Sequence, residues 1–221
     1  MFVKRPNFIY FSPAKHFPMT NTILAVTLIA SVLCFQRKDL MDLFIFNPEK
    51  ISRKNEWYRF LSSGFIHADW MHLLINMFVL YSFGQVVEGY YRDVFGVAGR
   101  NYYLLLYFGG MITSVLPTYS KQKSNASYNA LGASGAISAV VFTFILFNPL
   151  EKLCLYGLLC LPGIIFGVLY LGYCYYAAKK GGDYINHDAH LWGALYGICF
   201  TLAMKPSILP YFVEQLKGIL P

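Results

Sequence analysis

Residues 132–147 decide the fold, and they read GASGAISAVVFTFILF. The apolar part, 133–147, is about 15 residues long and makes about 22 Å of helix at about 1.5 Å per residue. That length is too short to cross about 30 Å of hydrocarbon, and a polar segment, 120–131, precedes it. Non-helical backbone cannot face lipid at that depth. The sequence therefore predicts a helix that begins inside the membrane, with Ser134 at the floor of a water-filled recess.

The composition predicts a multi-pass integral membrane protein. Of 221 residues, 57% are hydrophobic and 13% are charged, whereas roughly a quarter of residues are charged in ordinary globular domains. The net charge is +7, and the Lys and Arg residues lie in short segments between apolar runs, which suits the anionic headgroups of a lipid bilayer. Basic residues and exposed aromatics do not alternate in a stripe, so binding to nucleic acid is not expected.

Successive apolar runs predict six membrane-spanning helices, because backbone groups in lipid need hydrogen-bond partners within their own segment. The predicted spans are 19–35, 70–87, 102–119, 133–147, 153–178 and 189–204. The fold class is therefore all-α, a bundle of six transmembrane helices with a short fourth helix. We predict one membrane domain, 19–204, between an N-terminal tail, 1–18, and a C-terminal tail, 205–221. The longest connection, 36–69, is predicted to hold short amphipathic helices at the interface.

The cysteines predict packing residues and no disulfide framework. Five cysteines lie at scattered spacing within apolar runs, without a CxxC pair: Cys34, Cys154, Cys160, Cys174 and Cys199. An odd number without a regular pattern is not typical of a disulfide scaffold. Free cysteine behaves as a small apolar residue.

Ser134 is the first residue that could carry chemistry. A serine at a helix N-terminus lies among free N–H donors and near the positive end of the helix dipole, which together stabilise an oxyanion. Gly132 and Gly135 flank it and would let another backbone or a substrate strand approach. The alternative is a contact between helices made by small residues.

His190 is the candidate partner of this serine. It lies at the predicted start of the sixth span, and Gly193 and Gly197 form a GxxxG face on the same helix. Close packing of that face on the fourth span would bring the imidazole near the serine hydroxyl, whose proton it could take. The alternative is a histidine that reaches toward the membrane surface.

A third group lies at the start of the second span. His72 and Asn76 are four residues apart, so they share one face of a helix and can donate hydrogen bonds toward one point. Such donors suit stabilisation of an oxyanion. For Asn76 the alternative is a hydrogen bond between helices, and for His67 we favour a hydrogen bond that fixes the loop.

Taken together, the three groups resemble the rhomboid family of intramembrane serine proteases. The matching elements are the HxxxN pair of His72 and Asn76, the GASG sequence around Ser134, and the AHLWG sequence around His190. The resemblance covers about residues 19–204 and implies a rhomboid-like six-helix bundle. It implies Ser134 as nucleophile and His190 as general base, with an oxyanion hole of His72, Asn76 and the Ser134 backbone N–H. It also implies single-pass transmembrane proteins as substrates, with no cofactor and no metal.

Two further residues match the family and one position departs from it. Arg59 corresponds to the arginine of the Trp-Arg motif in the family's first loop, although Tyr58 intervenes here, and a structural role is implied for it and for His67. Some rhomboids place a tyrosine four residues after the serine, stacked on the catalytic imidazole, but this chain has Ser138 there. The residue that supports the His190 ring therefore stays open among the aromatics of the fifth span.

Three other functions compete with the protease. A non-catalytic rhomboid relative would bind membrane proteins, although such relatives typically lack the serine or the histidine. A metal-dependent membrane protein would use His67, His72, His187 and His190, but an HExxH pair is not present. A channel or transporter would be expected to show inverted repeats or paired intramembrane acids. The compact form suggests a prokaryotic plasma membrane.

Overall fold

The computed structural model describes residues 18–155, 159–181 and 185–217. The described part consists of helices and one short hairpin. Their bounds are α1 Met19–Gln36, α2 Lys38–Phe44, α3 Pro48–Lys54, α4 Arg59–Ser62, α5 Trp70–Phe95, α6 Gly99–Gln122, α7 Ser134–Phe147, β1 Lys152–Leu155, β2 Leu159–Pro162, α8 Gly163–Lys180, α9 His187–Met204 and α10 Ile208–Lys217. The predominantly helical class predicted from the sequence is confirmed.

The short helix α7 is the centre of the bundle. It begins at Ser134 and is 14 residues long, and every residue from Gly135 to Phe147 is buried. A helix that is apolar all round lies either in a protein core or in lipid, and the burial of α7 places it in the core. Accordingly, α7 packs against α5, α6 and α9. The predicted fourth span is thus present as a helix with nearly the expected bounds.

Glycines of α9 set how closely it packs against α7. A Cβ atom added to Gly193 would overlap the backbone of Gly135, and one added to Gly197 would overlap the backbone of Ala139. Glycine at these positions therefore lets the two backbones touch. This is the contact that the GxxxG pattern predicts, and it places the start of α9 beside the start of α7.

The predicted fifth span is wrong at its start. The strands β1 and β2 pair in an antiparallel hairpin, with Lys152 opposite Pro162 and Cys154 opposite Cys160. The helix α8 begins only at Gly163 because Pro162 adopts an extended conformation with ψ 138°, and a proline disfavours the helical conformation in the residue before it. The apolar run alone does not separate a short buried strand from a helix.

The hairpin also overturns part of the expectation for the cysteines. Cys154 and Cys160 form a disulfide bond, because the strand register places them directly opposite each other. Cys34 and Cys174 are free and buried, whereas Cys199 is free and exposed. Packing is therefore the role only of some of the cysteines.

A buried carboxylate holds the N-terminus of α1. Glu88 on α5 is only 4% exposed, and it accepts hydrogen bonds from the Met19 N–H at 2.8 Å and from the N–H and hydroxyl of Thr20 at 3.0 and 2.8 Å. The Thr20 hydroxyl also lies 2.8 Å from the Tyr103 hydroxyl on α6. Because Pro18 gives α1 no side-chain cap, Glu88 satisfies the first donors of that helix from a neighbouring one.

Arg59 organises the long first connection, where α2, α3 and α4 form the short helices that were predicted. Its side chain is 3% exposed and pairs with Glu56 at 2.6 Å. It also donates to the carbonyls of Asp42 at 2.9 Å and Ile45 at 2.8 Å. These contacts tie the end of α2 to α4, so Arg59 occupies a structural position.

Two helical stretches in the described part of the chain are long and apolar enough to cross a membrane. They are Met19–Gln36 and Trp70–Gln122, the second of which contains both α5 and α6. The helix α5 extends eight residues beyond the predicted end at 87. The count of six spans stays a prediction.

The structure describes most of the predicted C-terminal tail but almost none of the N-terminal tail. Residues 1–17 lie outside the described residues. In the C-terminal tail, α10 buries Ile208, and the Gln215 amide donates to the Phe147 carbonyl at the end of α7 at 3.0 Å. Part of this tail is therefore a helix packed on the bundle.

Candidate active site

The structure brings Ser134 and His190 together. The His190 Nε2 atom lies 2.8 Å from Ser134 Oγ, although the two residues are 56 positions apart in the chain. Ser134 is the first residue of α7 and His190 lies in the first turn of α9. The pair is at hydrogen-bond distance, as a nucleophile and its base require.

Gly132 shapes the turn that leads into Ser134. Its φ is +113°, a conformation that side-chain-bearing residues rarely adopt. A Cβ atom at this position would lie 2.7 Å from the His72 ring, and the Gly132 N–H donates to the Ser63 carbonyl at 2.9 Å. Since Ser134 is the first helical residue, its N–H belongs to the donors that lack a partner within the helix.

The two predicted oxyanion donors, His72 and Asn76, lie on α5 and differ in the contacts that their side chains make. The His72 ring lies against Gly132, two residues before the serine. Asn76 is buried, and its amide donates to the His72 carbonyl at 2.8 Å. An amide nitrogen carries two hydrogens, so this bond uses one of them.

His67 fixes the loop before α5. Its ring is fully buried, with Nδ1 3.0 Å from the Ser31 hydroxyl, which itself donates to the Phe65 carbonyl at 3.1 Å. Burial, and then the neighbouring His72, lower the pKa of His67 to about 3. The ring is therefore neutral at physiological pH and links α1 to the loop.

Tyr170 on α8 is the tyrosine whose ring stacks beside the His190 ring. The two rings are nearly parallel, with an interplanar angle of 17° and centroids 6.3 Å apart. The Tyr170 hydroxyl lies 3.0 Å from Ser138 Oγ. A tyrosine from another helix thus supplies the ring that is missing at position 138, and Ser138 leaves room for it and holds its hydroxyl.

Asp188 faces away from the pair, in agreement with the spacing argument that left it out of the mechanism. Its carboxylate pairs with Lys121 on α6 at 2.5 Å. The start of α9 is instead fixed by Asn186, whose side chain accepts from the Ala189 N–H at 3.1 Å and from the Thr118 hydroxyl at 3.1 Å. These bonds anchor the first turn of α9, and with it His190, to α6.

A small cavity lies beside the serine. Its volume is about 30 Å³, which is enough for water or a small side chain. Ser63, Met111 and Ser114 line it together with Ser134 and Gly135. The cavity is therefore partly polar.

The four histidines of the metal hypothesis form two pairs. The rings of His67 and His72 lie 4.9 Å apart, and those of His187 and His190 lie 6.1 Å apart. The four histidines therefore do not converge on one point. Among the described residues, the side chains that do converge as possible metal ligands are Cys174, His187 and His190. Cys174 gave no signal in the sequence, because it is a lone cysteine on another helix.

Comparison with known proteins places the chain in a family. The profile of the rhomboid domain matches residues 54–207, which is more than half of the chain. The chain belongs to the rhomboid family. It is therefore a rhomboid membrane protein, and the matched range contains the serine, both candidate donors and the candidate base.

Several named relatives support this membership. The rhomboid is 27% identical to presenilin-associated rhomboid-like protein A, mitochondrial, of Danio rerio, over 89% of this chain and 52% of that protein. It is 31% identical to rhomboid-like protein 11, chloroplastic, of Arabidopsis thaliana, over 68% of this chain and 54% of that protein. RHOMBOID-like protein 12, mitochondrial, of the same plant is 25% identical over 72% of this chain and 50% of its own.

The rhomboid spans about half the length of the curated relatives that it matches. Their names place them in mitochondria or chloroplasts. These names conflict with the expected prokaryotic plasma membrane, whereas an integral membrane protein agrees with the family.

Proposed function

We propose that this rhomboid is an intramembrane serine endopeptidase that cleaves transmembrane segments of membrane proteins. Ser134 is the nucleophile and His190 is the general base. The observation that carries this proposal is the 2.8 Å contact between His190 Nε2 and Ser134 Oγ. An acidic third member is not required when packing holds the imidazole, and Tyr170 lies over that ring.

The proposed reaction proceeds in two halves. The Ser134 Oγ atom attacks the scissile carbonyl carbon while its proton moves to His190 Nε2, and the carbonyl oxygen becomes the oxyanion. The tetrahedral intermediate then expels the amine, which takes that proton from His190, and an acyl ester remains on Ser134. Water attacks the ester with the same base, which releases the acid and restores the serine.

The oxyanion would be held by the Ser134 N–H, the His72 ring and the Asn76 amide. The N–H of the first residue in α7 is free of a partner within the helix. His72 lies against Gly132, two residues before the serine. Asn76 reaches the oxyanion with its second amide hydrogen or after releasing the His72 carbonyl, since catalytic hydrogen bonds often tighten only in the complex.

The proposed substrate is a single-pass transmembrane protein whose helix unwinds locally. An intact helix keeps its carbonyls in bonds along the chain, so helix-breaking residues near the cleavage site favour the reaction. The cavity of about 30 Å³ next to Ser134 favours a small side chain beside the scissile bond. We further propose that α1, α5, α6, α7, α8 and α9 are the six spans, and that α8 is the gate.

The test is cleavage of a model transmembrane substrate by the full chain in proteoliposomes. The Ser134→Ala and His190→Ala variants are expected to lose at least about 10⁴-fold in rate, because removal of a nucleophile or base costs that much in serine proteases. Ser82→Ala is the matched control, since Ser82 is a half-buried serine whose hydroxyl donates to the Phe78 carbonyl of its own helix at 2.8 Å. A fluorophosphonate is expected to label the wild type and Ser82→Ala, and to spare Ser134→Ala.

Cleavage that survives either substitution would overturn the dyad. Substrate binding without cleavage, in the wild type and in Ser134→Ala alike, would instead establish the alternative of a non-catalytic factor that binds membrane proteins.

A further inference from the structure

Three side chains from two helices converge at the histidine of the catalytic pair. The ligand atoms of Cys174 on α8 and of His187 and His190 on α9 all lie within 4.8 Å of one another. Cys174 is 0% exposed and His187 is 4% exposed, whereas His190 is half-buried. The cluster therefore extends from the catalytic histidine into the protein interior.

The donor set is one that binds zinc. Thiolate and imidazole are the ligands of tetrahedral Zn²⁺ sites, with bond lengths of about 2.3 Å to sulfur and about 2.0 Å to nitrogen. Three protein ligands with a water in the fourth position form an open site of this kind. Ligand atoms around such an ion lie about 3.5 Å apart by these bond lengths, so a modest inward movement would close the cluster on a metal.

We propose that Cys174, His187 and His190 form an inhibitory Zn²⁺ site that withdraws His190 from catalysis. This inference rests on the proposed function, since it assigns a regulator to the same histidine. Soft and borderline ligands favour Zn²⁺ over Mg²⁺ or Ca²⁺, which prefer oxygen. On binding, the Cys174 thiol releases its proton to solvent, because the thiolate is the ligand.

Coordination stops the base whichever ring nitrogen of His190 binds the metal. If Nε2 binds Zn²⁺, the lone pair that would accept the Ser134 proton is taken. If Nδ1 binds Zn²⁺, the proton of the neutral ring has to stay on Nε2, which can then only donate. In both cases Ser134 keeps its hydroxyl proton and remains a weak nucleophile.

The same ion would also join two helices. Cys174 lies on α8 and both histidines lie at the start of α9, so a bound metal ties together the two sides of the connection 181–186. A substrate helix that has to enter past α8 would then meet a closed bundle. The metal therefore opposes both the chemistry and the entry of substrate.

The first arm of the test measures binding without any turnover. The full chain carrying Ser134→Ala is titrated with Co²⁺ in detergent, and the thiolate-to-cobalt charge-transfer absorption is recorded. The band is expected in this background and with added Cys199→Ser, a matched control because Cys199 is free and exposed on α9. It is expected to disappear with Cys174→Ser, and with His187→Ala the affinity is expected to fall by at least about 10-fold.

The second arm measures inhibition of cleavage. Each variant is compared with its own rate after chelation, and the Zn²⁺ concentration for half inhibition is expected to rise by about 10²-fold or more in Cys174→Ser. Cys199→Ser is expected to match the wild type, and chelation is expected to restore activity. Thermal unfolding of every variant verifies that it is folded. If Cys174→Ser does not fold, His187→Ala replaces it as the variant that lacks a metal ligand.

The outcomes separate the two proposals. A cobalt band that persists in the Cys174→Ser variant, or that never forms, overturns the site. A band that depends on Cys174 together with Zn²⁺-insensitive cleavage overturns the regulatory role. If the metal-free chain does not cleave substrate, the proposed function fails, and the cobalt band still decides whether the site exists.

Discussion

Glu88 and His190 are both ionisable side chains packed between helices, Glu88 buried and His190 half-buried, but their surroundings differ. Glu88 accepts three hydrogen bonds from Met19 and Thr20 on α1, which leaves its carboxylate fixed. His190 reaches Ser134 through Nε2 and is otherwise contacted by rings such as that of Tyr170. Its imidazole can therefore exchange a proton without breaking a network.

The two sites lie near opposite ends of α6. The Tyr103 hydroxyl contacts the hydroxyl of Thr20, which is bonded to Glu88. The Thr118 hydroxyl contacts Asn186 at the start of the helix that carries His190. These two α6 residues are 15 positions apart, which corresponds to about 22 Å of helix. The comparison teaches that an ionisable side chain with several hydrogen bonds serves as an anchor, whereas one with few hydrogen bonds is available for chemistry.

The anchor gives the largest expected effect on stability. Glu88→Ala would leave the N–H groups of Met19 and Thr20 and the Thr20 hydroxyl without their acceptor, so the free energy of unfolding is expected to fall by about 3 kcal/mol. The cleavage rate of the remaining folded protein is expected to stay within about twofold of the wild type, because mutations at distant sites act independently. Denaturation and specific activity in the same detergent measure both. A cleavage rate per folded molecule that falls by much more than about twofold would contradict this division of roles.

Asn76→Ala tests the catalytic side of the comparison. Loss of one oxyanion donor is expected to lower kcat by about 10²-fold, with little change in KM. The matched variant is Asn21→Ala, which removes an amide that accepts a hydrogen bond from Gln85 at 2.8 Å on the other side of α5. Equal kinetics for the two variants would show that Asn76 serves only the helix.

Tyr170 is expected to position the base. Tyr170→Leu removes the ring over His190 and is expected to lower kcat by about 10-fold, an effect of about 1.4 kcal/mol. Tyr170→Phe keeps the ring but loses the bond to Ser138, so it is expected to recover most of the rate. If Tyr170→Phe and Tyr170→Leu lower kcat equally, the hydrogen bond between the Tyr170 hydroxyl and Ser138, and not the ring, positions the base.

The smallest effect concerns pH and His67. Because burial lowers its pKa from 6.5 to about 3, the neutral ring stabilises the fold above the unfolded pKa, and this contribution is lost as pH falls toward about 3. Between about pH 8 and about pH 6, the expected loss is about 0.8 kcal/mol. His67→Asn cannot titrate, so its stability is expected to depend less on pH than that of the wild type. Parallel pH profiles of the two proteins would exclude this role.

Much of the site could be predicted because it depends on small residues and helix periodicity. Gly132, Gly193 and Gly197 mark places where backbones approach closely, and His72 and Asn76 follow from four-residue spacing. These signals are local in the sequence. They were sufficient to bring Ser134 and His190 together, although their catalytic roles stay predictions.

The parts that could not be predicted depend on tertiary contacts. Tyr170 is one of several tyrosines on α8, and the sequence gives no indication of which one faces His190. The strands β1 and β2 are as apolar as a span, so hydrophobicity alone could not reveal them or the Cys154–Cys160 bond. Cys174 likewise becomes a candidate ligand only when α8 packs on α9.

The touching backbones of α7 and α9 have a consequence for how the protein would respond to its lipid surroundings. Gly193 rests on Gly135, one turn from His190 and one residue from Ser134, so the spacing of the pair is set by main-chain atoms. Lipid-facing side chains do not intervene in that contact. Changes in bilayer thickness or acyl-chain composition should therefore alter how substrates enter, while the distance between hydroxyl and imidazole stays constant.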